Sequence, residues 1–152
     1  MWSKWIALAS VAAACVLVVG CGGGSDEEQA GADEELRVQL AEQDVSAQSG
    51  TATFTPLEGG RTRIVLELTN PSDVSQPAHV HSGTCDDLGD AVVALVSVEG
   101  GRSETETDMS VESLQQGGLV IHAHKSAAES DISVACAPIE EQAEGTGEDF
   151  GY

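Results

Sequence analysis

Between about residue 36 and residue 139, apolar and polar positions alternate with a period of two in short runs. Leu36, Val38 and Leu40 form one stripe, Ala52 and Phe54 continue a second, and Ile64, Leu66 and Leu68 form a third that Asn70-Pro71 ends. Successive side chains of a strand point to opposite faces, so each stripe predicts a strand with one buried face. Ala78-His79-Val80-His81 predicts a fourth strand. Ala91 to Val98 is a more continuous apolar run and predicts a buried strand. Arg102 to Ser110, Leu119 to His124 and Ile132 to Ala137 complete about eight strands. Val111 to Gln116 is expected as a short helical turn. Glycines at Gly59-Gly60, Gly100-Gly101 and Gly117-Gly118 fall between the runs, where hairpins or corners need them. No long amphipathic helix is visible, so the pattern predicts an all-β Greek-key sandwich or barrel.

The two ends read differently. Residues 1–20 have the form of an export signal: Lys4 gives the positive start, Trp5 to Val19 the apolar run, and Gly20 a small residue before Cys21. The apolar run is about 15 residues long, short of the roughly 20 that cross a bilayer as a helix. Val18-Val19-Gly20-Cys21 resembles the bacterial lipobox, in which the cysteine is acylated and becomes the mature N-terminus. The expectation is a protein of the cell envelope, extracytoplasmic and held to the membrane by a lipid on Cys21. Residues 21–35 are expected to form a flexible acidic tether and residues 140–152 an acidic tail, because neither carries enough large apolar side chains to order itself. Residues 36–139 are then the folded domain.

Cys15 leaves with the signal and Cys21 carries lipid, so Cys85 and Cys136 remain in an exported chain, where disulfides persist. They are expected to pair.

Acidic residues outnumber basic ones 26 to 6, a net charge of -20, and removal of residues 1–20 takes away only Lys4. Nucleic acid is excluded as a partner, because neutralising phosphates requires clustered Lys and Arg.

All 4 histidines form two His-x-His pairs, His79 with His81 and His122 with His124. Side chains at i and i+2 of a strand share a face and stand roughly 6.5–7 Å apart, so two such imidazoles can converge on one ion. If the two strands are neighbours, His79, His81, His122 and His124 offer up to four nitrogens to one metal. Imidazole-only sites suit copper and zinc, and affinity among divalent ions peaks at copper, so copper is the first expectation and zinc the second.

His79-Val80-His81 followed by Gly83 and Cys85, then Leu119-Val120-Ile121-His122, then Val134-Ala135-Cys136-Ala137-Pro138-Ile139, resembles the copper/zinc superoxide dismutase family. The resemblance implies a superoxide dismutase-like barrel in which His79 and His81 are paired copper ligands, His122 or His124 is a third, and Cys85 bridges Cys136. Ala78 to Gly83 also resembles the CHRD domains, secreted β modules of the same outline. Two departures qualify the resemblance. The loop that carries zinc ligands in the family shrinks here to Asp86 to Asp90 and holds no histidine. Ser133 stands where the family has a substrate-guiding arginine, with Lys125 the nearest stand-in. The expected function is a copper-binding superoxide dismutase-like protein of weak or no dismutase activity; the rival is a noncatalytic CHRD-like envelope module.

Overall fold

The stripe Leu36, Val38, Leu40 turns its side chains inward from strand β1 (Leu36–Glu42), while Arg37 and Gln39 between them face solvent. The same alternation buries Ala52 and Phe54 on β2 (Gly50–Leu57) and Thr62, Ile64, Leu66 and Leu68 on β3 (Arg61–Leu68). It buries Ala78 and Val80 on β4 (Ala78–Gly83). The structure is a computed structural model and describes residues 34–141. The expected leader, the acylated Cys21 and nearly all of the tether and tail lie outside the described residues.

The remaining elements are β5 (Leu88–Ala94), β6 (Arg102–Thr107), the helix α1 (Val111–Gln116), β7 (Leu119–His124) and β8 (Ser133–Pro138). The short helix is capped by the Ser110 hydroxyl, which accepts the Ser113 N–H at 3.2 Å, and it buries Val111 and Leu114. All strand pairs are antiparallel, in the order β5-β4-β7-β8-β1-β2-β3-β6. β1 joins the two halves of this curled sheet. Its first part pairs with β2, and Ala41 and Glu42 at its end pair with Cys136 and Ala135 of β8. Phe54, Ile64, Leu66, Leu114, Ile121 and Ile139 fill the space between the halves, each such side chain contributing roughly 1.5–3 kcal/mol.

One expectation is corrected. The run Ala91 to Val98 is not a strand buried on both faces: β5 starts earlier, at Leu88, and stops at Ala94. It is an edge strand, paired only with β4, and Val92 is 46% and Val96 58% exposed. The buried residues of that run are Leu95 and Val98, beyond the strand, where the chain crosses toward β6. An apolar run alone does not say how many neighbours a strand has.

On the outward face of β3 and β6 the arginines are spent on a ladder of ion pairs. Arg61 and Arg63 reach Glu106 at 2.9 and 3.0 Å, and Arg102 reaches Glu104 at 3.0 Å. Exposed pairs of this kind stabilise little. Their consequence is electrostatic: these cations are neutralised on the half of the sheet that carries no histidine.

Candidate metal centre

On β4, burying Ala78 and Val80 forces His79 and His81 to the opposite face, away from the core. On β7, Ile121 and Ala123 belong to the core cluster, so His122 and His124 share the outer face with Val120. β4 and β7 are hydrogen-bonded neighbours with His79 directly opposite His122 and His81 opposite Val120. The two His-x-His pairs therefore meet on one patch of sheet, outside the barrel wall.

Ring centroids lie 5.5 Å apart for His79 and His81, 5.3 Å for His79 and His124, and 4.4 Å for His122 and His124. One nitrogen each of His79, His81 and His124 falls within 4.8 Å of the others. His122 stands beside this group, 1% exposed, with Nε2 at 2.7 Å from the Ser133 hydroxyl. Four buried ring nitrogens have no hydrogen-bond partner among the described residues: His79 Nδ1, His81 Nε2, His122 Nδ1 and His124 Nδ1. Buried polar atoms are rarely left so, and four together on adjoining imidazoles fit the donor set of a metal ion.

Neighbouring groups also hold a nitrogen of His81 and of His124. His81 Nδ1 lies 3.0 Å from the Gly89 carbonyl, which can only accept; Nδ1 carries the hydrogen and Nε2 is left as the lone pair. His124 has a hydrogen bond to the Ser130 backbone. Behind it, the buried Gln76 amide donates to the His124 carbonyl at 3.3 Å and to Gln48 Oε1 at 2.8 Å. Gln48 donates in turn to the Asn70 carbonyl at 2.8 Å. This amide pair anchors the end of β7 to the segment that leads into β4. Nothing in the sequence marks Gln76, Gln48 or the two carbonyls, because their roles depend on contacts far along the chain.

Cys85 and Cys136 form a disulfide, as expected from the sequence. Cys136 sits opposite His122 across the β7–β8 ladder, so the bridge ties the loop after β4 to the strand beside the imidazoles. That loop is the short stretch between Gly83 and Leu88. It turns at Gly83, whose φ of 98° and contact with the Asp87 carbonyl leave no room for a Cβ.

Burial, and after it His124, His81 and His79, push the His122 imidazole down from 6.5 to about 4. Burial and then His81 lower His79; burial and then His79 lower His124, against the Ser130 hydrogen bond that raises it. Neutral imidazoles are the form that binds metal. In the unfolded chain these rings protonate more readily, so unfolding takes up protons on acidification. The stability linked to His122 is complete above its ordinary value of 6.5 and disappears as the pH falls toward about 4. At about 1.4 kcal/mol per unit it is on the order of 3 kcal/mol. Metal-free protein is expected to melt at progressively lower temperature from pH 7 to pH 4; a flat profile in calorimetry across that range would contradict the buried neutral state.

No family model matches the sequence, and no curated protein sequence matches it. The fold is similar to that of a superoxide dismutase. Among solved structures, a mutant of superoxide dismutase 5 from Candida albicans matches with a TM-score of 0.54 and 22% identity, covering 78% of this chain and 99% of the other. The Cu(II) structure of the same protein matches with a TM-score of 0.53 and 22% identity, covering 79% and 99%.

Proposed function

We propose that this chain is a copper-binding, superoxide dismutase-like protein, anchored outside the cytoplasm by a lipid on Cys21, with weak or no dismutase activity. The observation that carries the metal reading is the set of four buried, unpartnered imidazole nitrogens. His79, His81 and His124 form the converging ligand set and His122 is the fourth nitrogen beside it. Three neutral nitrogens without a thiolate or carboxylate among them favour copper over zinc, since a structural zinc site would recruit the cysteines, which are bridged here. Copper supplies a one-electron couple when bound; the chain's own residues bind it, fix its imidazoles and keep the inner ring edges dry. The export-signal pattern before Cys21, and a disulfide that would not persist in a reducing cytosol, support the location.

Two observations favour metal handling over fast dismutation. Ser133, at the position of the family's arginine, turns its hydroxyl to His122, and Lys125 is paired with Glu129 at 2.7 Å. The segments flanking the histidines carry Asp86, Asp87, Asp90, Glu129 and Asp131. Together with the net charge of -20, these acidic residues favour cations over a superoxide anion.

Titrating the purified protein with Cu(II) and with Zn(II) while following thermal unfolding tests this. Ligand that binds only the folded state adds about 4 kcal/mol at a thousand times its Kd. Copper is expected to raise the melting temperature more than zinc does. No shift with either ion would end the metal reading and leave a noncatalytic module.

A further inference from the structure

The β7–β8 ladder contains one irregularity, and it falls at the histidines. His122 pairs with Cys136 and Ala123 with Ala135, but His124 pairs with Ser133, so Val134 is an extra residue on β8. Unbroken alternation from Cys136 and Ala135 would put Val134 on the histidine face and Ser133 toward the core. The bulge exchanges them. Val134 is 2% exposed and belongs to the core cluster, while Ser133 turns to the outer face and meets His122 Nε2 at 2.7 Å. Re-aiming a side chain beside a site is what bulges commonly do.

The bulge is pinned from a distance. Asp44 Oδ2 accepts the Ser133 N–H at 3.1 Å, the Ser46 hydroxyl donates to the Val134 carbonyl at 2.7 Å, and the Gln43 N–H donates to the same carbonyl at 3.0 Å. All three come from the turn between β1 and β2, where Asp44, Val45 and Ala47 have positive φ values of 50°, 53° and 59°. Three non-glycine residues in the left-handed region store strain, which persists only where surrounding contacts enforce it.

A neutral imidazole has one N–H and one lone pair, so the partner of Nε2 decides what Nδ1 presents. If the Ser133 hydroxyl donated to Nε2, His122 Nδ1 would carry a hydrogen, buried and without an acceptor among the described residues. Its positive end would also oppose a cation at the cluster. If Ser133 accepts, Nδ1 keeps a lone pair, and the hydroxyl hydrogen of this half-buried serine can turn to water.

We propose that Ser133 is a positioning residue that selects the Nε2–H form of His122 and so makes Nδ1 a nitrogen available to the metal. This rests on the metal-binding reading above, and it assigns the serine a role in place of the arginine the fold class carries there.

The test begins with the metal-free protein, where long-range ¹⁵N–¹H NMR at pH 7.5 reports the tautomer of each histidine (the pH is roughly one unit above an ordinary imidazole pKa). Wild type is expected to show His122 as Nε2–H. Ser133→Ala is expected to lose that preference and Ser133→Thr, which keeps a hydroxyl, to retain it. Added Cu(II) gives the second readout: Ser133→Ala should bind about 10- to 100-fold more weakly, the range for removing a group that orients a ligand. Pulsed electron paramagnetic resonance should count one coupled imidazole fewer, and Ser133→Thr should restore both. Nδ1–H at His122 in the wild type, or a Ser133→Ala protein with unchanged tautomer and unchanged copper affinity, would overturn the assignment. If copper binds neither protein, the function proposed above fails and the role of Ser133 toward a metal fails with it; a wild-type Nε2–H tautomer with unaltered copper binding in Ser133→Ala would remove the serine's role alone.

Discussion

Replacing Cys85 and Cys136 together by serine is expected to lower the unfolding free energy by about 4 kcal/mol. The bridge closes a loop across a sequence separation of 51, and constraint of the unfolded chain grows with the logarithm of loop length. A small domain has only about 5–15 kcal/mol in all, so the loss removes between roughly a quarter and most of its stability. Urea denaturation of the oxidised wild type and the double serine variant measures it directly. A difference under about 1 kcal/mol would mean that strand pairing alone already orders the loop after β4. The same variant is expected to bind copper less tightly, because Cys136 is paired with His122 and Cys85 lies a few residues after His81.

The second large effect is on binding. His79→Ala with His81→Ala removes half of the four unpartnered nitrogens and two of the three that converge. The copper-induced stabilisation of about 4 kcal/mol at a thousandfold excess over Kd is expected to vanish. Both rings are only half-buried and stand on the outer face, so the metal-free variant should stay within about 1 kcal/mol of the wild type. Calorimetry with and without Cu(II) separates the two results. Equal copper shifts in both proteins would show that the ion sits elsewhere.

Much of this architecture is legible in the alternation of apolar residues. Leu36, Val38, Leu40, Ala52, Phe54, Ile64, Leu66, Ala78 and Val80 all face the core where a period of two puts them. Two His-x-His pairs on extended segments announce a shared face, and the neighbouring of β4 and β7 brings those faces together. What period-two reading does not supply is which side of the wall receives the rings. That is decided by the apolar residues between them: Val80, Ile121 and Ala123 claim the core, leaving the imidazoles outside. The edge position of β5 and the bulge at Val134 are not legible at all. Both are properties of pairing between distant segments, and a bulge reverses the side-chain sequence on which the reading depends. Nor does the sequence show that His124 groups with His79 and His81 while Nε2 of His122 meets Ser133 and its Nδ1 stays unpartnered.

Placing the imidazoles on the outside of the wall separates the inheritance of the scaffold from that of its chemistry. Residues that fill the core and the imidazoles share a backbone but point to opposite sides of it, so exchange at the half-buried His79 and His81 leaves the core packing untouched. The donor set on that outer face can therefore be altered by substitution while the interior keeps its packing.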